Sequence, residues 1–586
     1  MQAAIDRQLK QHVAPGYGGV SQEMWVAAPA EVRRRERRVI GLILRTGLAP
    51  KILRRKQMIF LPKAQAVDPT LDSSKGLPPR RPITVQSAFA NRVFLVIKHF
   101  VENGIPSSPL QHGFRRDRSV ADAAILTTLL IERAKEIFEP LLLVSKDCLK
   151  CYDRIPSWVM ELLYLGMGVS ETARRLMIDF LGPGEISVRT AFGWLTTGER
   201  EFGIGQGSIL AILHIGVYMD CLQDQLAKCS DPVQIRHHQE GHGIDIGSTM
   251  FVDDQLDVST TYNGLLDRAR ITNLFTGKFA TGGIFGSAKS FQMYIAEPEK
   301  HYPAVLLNDG RGTPQPVQVV APEQGFKHLG IYQAGEDQWA ASLEPTWQKL
   351  VSDADRVKCL GLTLPEFRYV VNHIWIPRLR YRMVLGGAIG MAAKVDIFIR
   401  QVARAVLRLP FSLNTVVYYD KTNGLGLESC EADANTNRCI EALRVLNTPE
   451  LPVYHILTER LEAYQVRAGL TYNPLCHPIR PPRRAQTWIA QVIRYAASFD
   501  PPLVIAVKWT QPPTARSRRS NDRPLLDITP REHRHTLVSI NWKGEFKLRF
   551  VGDISSDMGS HLLPLTAILR LGRWSDKDRA KVTTTG

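Results

Sequence analysis

The distribution of apolar residues predicts a chain that combines strands and helices. Residues 141–144 form a continuous apolar run typical of a buried strand, and residues 250–258 have the pattern of two short strands that meet at a tight turn. Residues 209–226 have the pattern of a helix, and beyond about residue 336 the apolar positions recur mostly at helical spacing. We therefore expect a mixed first part and a largely helical second part.

Acidic residues stand at both predicted strand segments. The run at 141–144 leads into Asp147, and Asp253 and Asp254 lie side by side in the predicted turn. Adjacent carboxylates in a strand environment repel each other and lose hydration, whereas a pair of divalent cations would neutralise them. Because two-metal sites for phosphoryl transfer take carboxylates from separate strands, these three acids are candidates for one metal site.

A glycine-rich loop at residues 203–208, Gly-Ile-Gly-Gln-Gly-Ser, lies between the two acidic segments and precedes the predicted helix. Glycines let a backbone approach a nucleotide closely. The order of strand with aspartate, Gly-Gln-Gly-Ser loop with helix, and Phe-Val-Asp-Asp turn resembles the catalytic core of reverse transcriptases. The resemblance is closest to the enzymes of non-LTR (LINE-type) retrotransposons, and group II intron enzymes are the next nearest relatives.

The resemblance extends over most of the chain, in the family's order. The matching segments outside the loop and the turn are residues 60–63, 81–84, 111–119, 147–153, 287–290, 326–330, 362–368, 376–381 and 424–427. It implies an α+β right-hand polymerase in which an antiparallel palm sheet carries the catalytic aspartates. The implied organisation is a basic extension at 1–55, fingers and palm at 56–335, a helical thumb at 336–450 and a C-terminal region of unknown role at 451–586.

The resemblance also implies an activity, RNA-directed DNA synthesis from dNTPs. Asp147, Asp253 and Asp254 would be the catalytic and metal-binding residues for two Mg²⁺ ions, with Mn²⁺ as a possible substitute, and Asp254 would be the weaker ligand. The nucleotide-binding residues it implies are Lys63, Arg81, Tyr152, Gln206, Gly207 and Lys289. Among these, Tyr152 occupies the position of a bulky aromatic that would clash with a ribose 2′-hydroxyl and so favour dNTPs.

Four positions depart from the family pattern. Gly205 stands where the family usually has proline before Gln-Gly-Ser, and Ile212 replaces a second proline. Cys151 stands at the usual alanine, and Phe251 stands at the tyrosine that precedes the paired aspartates. None of these changes removes a metal ligand.

The positive net charge of the chain favours a polyanionic partner. The 586 residues carry a formal net charge of +17, which favours template RNA and a DNA or RNA primer as partners. Residues 33–38 form an arginine-rich part of a predicted amphipathic helix, for which a solvated face and a template contact are about equally favoured, with nuclear localisation as a third interpretation. The nucleic-acid-binding candidates are Arg33, Arg34, Arg35, Arg37, Arg38, Arg115 and Arg118.

The composition argues against a disulfide-rich, zinc-binding, membrane or secreted protein. Eight scattered cysteines suit a reducing compartment, and the C-x-x-C of Cys148 and Cys151 has no second pair at zinc-finger spacing, so the strand end explains it better than zinc. No apolar run reaches about 18 residues and no secretory signal is indicated. We expect an intracellular protein, nuclear or cytoplasmic, in a ribonucleoprotein and without a membrane partner.

Two alternatives to a reverse transcriptase remain open. One is a catalytically inactive or domesticated relative that binds RNA, which the intact acids disfavour. The other is a viral-type RNA-dependent RNA polymerase, which Tyr152 and Val252 disfavour because such enzymes place a polar residue and commonly a glycine at these positions. The sequence does not distinguish template, priming mode or oligomeric state.

Overall fold

The structure is a computed structural model. It describes residues 5–6, 9, 13–62, 80–102, 104–105, 107–137, 139–199, 203–236, 243–277, 280–296, 300–308, 313–335, 338–385, 391–467, 470, 472–481, 486–507, 525–528 and 551–554. Lys63, predicted to bind nucleotide, lies outside these residues.

Helices make up most of the described chain. In chain order they are α1 Gln22–Ala27, α2 Ala30–Thr46, α3 Lys51–Arg54, α4 Ala88–Glu102, α5 Val120–Ile137, α6 Cys151–Arg154, α7 Ser157–Gly166, α8 Glu171–Leu181, α9 Ile209–Leu226, α10 Tyr262–Phe275, α11 Gln338–Cys359, α12 Leu364–Tyr369, α13 Ile376–Leu385, α14 Met391–Leu407, α15 Thr415–Tyr419, α16 Cys430–Leu446, α17 Pro452–Arg467, α18 Trp488–Ala496 and α19 Leu525–Ile528. A π-helical turn, Val370–Trp375, joins α12 to α13, and short 3-10 turns lie at Ser287–Lys289 and Val551–Ile554.

The strands are short and form small mixed sheets. They are β1 Lys56–Pro62, β2 Arg80–Val85, β3 Leu141–Asp147, β4 Glu185–Thr190, β5 Gly193–Glu199, β6 Val233–Arg236, β7 Gly243–Ile246, β8 Ser248–Phe251, β9 Asp254–Ser259, β10 Phe291–Ile295, β11 Leu306–Asn308, β12 Pro314–Pro316, β13 Gln318–Val319, β14 Phe326–His328 and β15 Ile331–Gln333. The larger sheets have the orders β13-β10-β3-β9-β8 and β2-β1-β4-β5, and the other pairs are hairpins. The predicted mixture of helices and strands is confirmed. The strand predicted at 141–144, the two strands predicted within 250–258 and the helix predicted at 209–226 are all present.

The central strand β3 is covered on both faces. Leu141 and Leu143 belong to one apolar core, and Leu142 and Val144 belong to another. Successive side chains of a strand point to opposite faces, so a strand between two cores needs an apolar residue at every position. This explains the uninterrupted apolar run in the sequence and fixes the end of the strand, where Asp147 lies.

The two cores draw on distant parts of the chain. The first core joins β3, β9 and β10 to α5, α16, α17 and α18, and includes the fully buried Trp488. The second core joins the other face of the sheet to α2, α4, α7, α8, α9 and α10. A third core, around Trp375, holds α11 to α16 together. The C-terminal residues up to Ile505 therefore belong to the same core as the central sheet.

Capping residues define several helix starts. Thr261 accepts a hydrogen bond from the Gly264 amide at the start of α10, and Thr487 accepts one from the Ala490 amide at the start of α18. These bonds satisfy amides that have no partner within the helix. No helix in the described ranges combines the length and the apolar character needed to cross a membrane.

Candidate active site

Asp147 and Asp254 lie opposite each other at the end of the central sheet. Asp147 is the last residue of β3, Asp254 is the first residue of β9, and the two are direct partners in the antiparallel register. Directly opposed residues of such a pair lie on the same face with Cβ atoms about 5 Å apart. The structure therefore brings together acids that are more than a hundred positions apart in the sequence.

Asp253 lies in the turn of the β8–β9 hairpin. Phe251 pairs with Asp254, so Val252 and Asp253 are the two central residues of the turn. Val252 has a φ of 62°, in the left-handed region that a β-branched residue rarely adopts. The turn therefore sets the direction of Asp253 through a conformation that its own sequence does not favour.

Asp253 and Asp254 are poorly hydrated, and the charge of Asp147 adds to their mutual repulsion. Burial, the neighbouring Asp254 charge and, to a smaller extent, Asp147 raise the pKa of Asp253 to about 7. Burial and the Asp147 charge raise the pKa of Asp254 to about 6. Raised pKa values of this kind mark carboxylates whose charge is not fully compensated, so added positive charge would stabilise the cluster.

Two cationic side chains face this cluster. The Lys289 ammonium lies 3.2 Å from the Asp147 carboxylate, and its charge lowers the pKa of Asp254. Arg81, on β2, acts in the same direction on Asp253. Both side chains are exposed, so they are open to a ligand that approaches the acids. Lys289 and Arg81, predicted from the resemblance to bind nucleotide, therefore border the acidic group.

Tyr152 lies between the acids and the glycine-rich loop. It is the second residue of α6, it is half-buried, and burial followed by the Asp253 charge raises its pKa. Its carbonyl accepts a hydrogen bond from the Ile204 amide at 2.7 Å. The loop is also tied to β2, where the Thr84 amide donates to the carbonyl of Gln206 at 2.7 Å. Gln206 and Gly207 are thereby held between the strand of Arg81 and the helix of Tyr152.

The backbone conformation at Gly205 explains why proline is absent from this position of the loop. Its φ is 72°, whereas the proline ring fixes φ near −65°. The loop thus follows a backbone path that the family's usual residue does not allow. The positive φ favours glycine at position 205, so the absence of proline follows from the local backbone conformation.

The predicted nucleic-acid-binding arginines divide into a partly buried group and an exposed group. Arg115 pairs with Asp220, and Arg118 donates to the carbonyls of Pro109 and Gln111. In the basic helix α2, Arg33 pairs with Asp6. These three arginines hold protein segments together. The remaining four, Arg34, Arg35, Arg37 and Arg38, are exposed.

Arg34 and Arg35 both contact Glu31, at 3.0 and 3.3 Å. Ion pairs between exposed side chains contribute little and are screened by salt, so these arginines can exchange Glu31 for a phosphate. The exposed face of α2 is therefore the better candidate for nucleic acid than Arg115 or Arg118.

The three acids do not form a metal site by themselves. Within the described ranges, no group of three or more His, Cys, Asp or Glu side chains has an arrangement that could hold a metal ion. Mg²⁺ is usually bound by one or two carboxylates, with water and substrate phosphates as the other ligands. Asp147 and Asp254 on one face, with Asp253 beside them, suit that mode.

Gln111 is the residue of the site that sequence reasoning missed. It is fully buried, and its side-chain amide donates to the Val252 carbonyl at 3.1 Å and accepts from the Val252 amide at 2.9 Å. In the sequence it was only the first residue of a segment that resembles the fingers. A glutamine followed by His-Gly-Phe gives no indication of a partner 141 positions away.

The chain matches no known protein-family model and no curated protein sequence.

Proposed function

We propose that the chain is an RNA-directed DNA polymerase of the non-LTR retrotransposon type, with a right-hand polymerase fold. The observation that carries the proposal is the register pairing of Asp147 with Asp254, beside Asp253 at the tip of a tight hairpin. In this reading the five-stranded sheet is the palm, the β1–β2–β4–β5 sheet belongs to the fingers and the helices around Trp375 form the thumb.

The surroundings of the acids support nucleotidyl transfer over an unrelated acidic cluster. Lys289 and Arg81 would contact the triphosphate of an incoming nucleotide, because guanidinium and ammonium groups donate to phosphate oxygens. Gln206 and Gly207 would lie beneath the nucleotide on a loop that is tied to both β2 and α6. Tyr152 would lie against the sugar.

Each acid has a role in the proposed reaction. Asp147 and Asp253 would hold the primer end and the triphosphate in line through shared Mg²⁺ ions, and Asp254 would support them. The chemistry that two Mg²⁺ ions supply at such carboxylates is a lowered pKa for the primer 3′-hydroxyl and neutralisation of the leaving pyrophosphate. Lys289, which contacts Asp147, would donate a proton to that leaving group.

The partners follow from the reaction. They are template RNA, a DNA or RNA primer and dNTPs, with the exposed arginines of α2 as a candidate surface for the template. A setting inside the cell, in a ribonucleoprotein, agrees with the reduced cysteines and the positive charge.

Primer extension tests the proposal directly. The full chain is incubated with Mg²⁺, a primed RNA template and either dNTPs or rNTPs, and the product is resolved by length. We expect extension with dNTPs that falls at least about 1000-fold in Asp253→Asn, which keeps the size of the side chain and removes its charge. An exposed acid far from the site, Asp355→Asn, is the matched control.

The other outcomes identify the alternatives. Extension with rNTPs only would indicate an RNA-dependent RNA polymerase. Binding of the primed RNA without extension under any metal would indicate a domesticated RNA-binding relative. Either result would refute the proposal.

A further inference from the structure

The segment before α5 contacts the acidic hairpin along its outer edge. The His112 amide donates to the Met250 carbonyl at 2.8 Å, and the Met250 amide donates to the Leu110 carbonyl at 2.9 Å. Residues 110–112 thus pair with β8, the edge strand of the central sheet. This pairing brings the Gln111 side chain beneath the turn that carries Asp253.

We propose that Gln111 is a positioning residue that holds Val252 in its left-handed conformation and so fixes the direction of Asp253. The inference rests on the proposed polymerase function and assigns one residue to its metal site. The Gln111 side chain contacts the backbone of Val252 and of Gly113, and would act on Asp253 only through the turn.

The hydrogen bonds match the amide group. The Gln111 Oε1 accepts from the Val252 amide and from the Gly113 amide, both at 2.9 Å, while its Nε2 donates to the Val252 carbonyl. A carboxylate in its place would lack the donor, and an apolar side chain would lack both groups. Only glutamine satisfies both backbone groups of Val252 at this reach.

Burial makes these bonds hard to replace. Gln111 has no exposed surface, and Val252 is only 7% exposed. Water therefore does not substitute for a lost partner, and an unpaired buried amide is costly. The turn would then relax toward the conformations that valine prefers.

Gly113 completes the contact. A Cβ atom on Gly113 would lie 2.4 Å from the Val252 nitrogen, closer than two atoms can approach. The loop of residues 111–113 therefore contacts the turn at backbone distance. Asp253, the next residue after Val252, takes its direction from this contact.

The test measures the loss of kcat in one variant and its recovery when a second substitution is added. Gln111→Met keeps the length of the side chain and removes its hydrogen bonds. We expect kcat for dNTP incorporation to fall roughly 10- to 100-fold, as a misplaced catalytic group does, with a higher Mg²⁺ concentration for half-maximal rate. Adding Val252→Gly to this variant should recover a large part of kcat, because glycine adopts a positive φ without strain.

Gln223→Met is the matched control. Gln223 is also fully buried and donates to the Ser248 carbonyl at 2.8 Å, at the other end of β8, without contacting the turn. It should lower the melting temperature about as much as Gln111→Met and leave the Mg²⁺ dependence of the rate at the wild-type value. Equal losses of kcat in both glutamine variants, or no recovery with Val252→Gly, would overturn the positioning role.

Hydrogen exchange separates this inference from the proposed function. If the wild-type chain extends no primer, the polymerase proposal fails, and the positioning role is then judged by amide exchange alone. Peptides that cover residues 111–114 and 250–254 should lose protection in Gln111→Met and keep it in Gln223→Met. Unchanged protection in Gln111→Met would overturn the contact itself.

Discussion

At the residue scale, the candidate site depends on side chains whose chemistry is set by a few neighbours. Tyr152 illustrates this, because the Ile204 amide fixes its backbone and the Asp253 charge acts on its ring hydroxyl. Its position between the acids and the glycine-rich loop agrees with a role in recognising the sugar of the nucleotide. The aromatic ring would do this by size rather than by hydrogen bonding.

Replacement of Tyr152 should therefore relax sugar selection. In Tyr152→Ala we expect the ratio of kcat/KM for dNTP over rNTP to fall by roughly 10- to 100-fold, because the steric clash with the 2′-hydroxyl is lost. The ratio is measured by single-nucleotide incorporation on one primed template. Tyr152→Phe, which keeps the ring, should retain the wild-type ratio. A ratio that does not change in Tyr152→Ala would remove this residue from sugar selection.

At the scale of elements, helices from distant parts of the chain are joined by buried polar contacts. Glu132, on α5, accepts a hydrogen bond from the Trp488 amide in the first turn of α18 at 2.9 Å. Burial raises the pKa of Glu132 to about 7, although this hydrogen bond and the charges of Arg460, Lys135 and Arg438 act to lower it. Burial outweighs the hydrogen bond and the three positive charges, so the fold is more stable when the Glu132 carboxyl is protonated.

The stability of the fold should depend on pH through Glu132. A carboxyl with a raised pKa stabilises the fold below its ordinary value near 4.5, and that contribution is lost as the pH rises through about 7. Glu132→Gln keeps the acceptor oxygen without the charge. We expect it to gain on the order of 3 kcal/mol in unfolding free energy relative to wild type between pH 5 and 8.

Urea unfolding at several pH values between 5 and 8 measures this difference. Glu161→Gln, at a half-exposed position on α7, is the control and should follow the wild-type curve. Parallel curves for wild type and Glu132→Gln would show that Glu132 does not titrate in this range.

At the scale of the whole molecule, the C-terminal region is part of the central core. Trp488 is fully buried, its indole nitrogen donates to the Val384 carbonyl at 2.9 Å, and its neighbours on α18 pack in the core that covers β3. The region from 451 was left without a role by the sequence. The structure gives α17, α18 and Ile505 a role in supporting the sheet that carries Asp147.

Removal of the Trp488 side chain should destabilise the entire fold. We expect Trp488→Ala to cost about 3–5 kcal/mol, the usual range for a buried tryptophan, and to lower the melting temperature. Trp158→Ala, where the side chain is 53% exposed, is the matched control and should cost far less. Calorimetry of the two full-length variants provides the comparison. Similar losses in both variants would contradict a central place for α18.

The sequence predicted the strands and the hairpin of the site, but it did not predict the side-chain contacts that hold them in place. Apolar runs located β3 and the β8–β9 hairpin because a buried strand and an alternating strand leave a local pattern. The partner of Val252 had no such pattern, since a buried glutamine is recognised only through contacts made in space. Charge alone also suggested Arg115 as a nucleic-acid ligand, whereas Asp220 engages it within the protein.

The position of β3 between two cores has a consequence for biosynthesis. Its partners β9 and β10 are made more than a hundred residues after it, and the core on one of its faces is complete only with Ile505. Until those residues are made, α5 is the main element of that core available to cover the apolar strand that ends at Asp147, and the cover is incomplete. Chaperones that shield nascent chains should therefore stay bound to this protein until the residues up to Ile505 have left the ribosome.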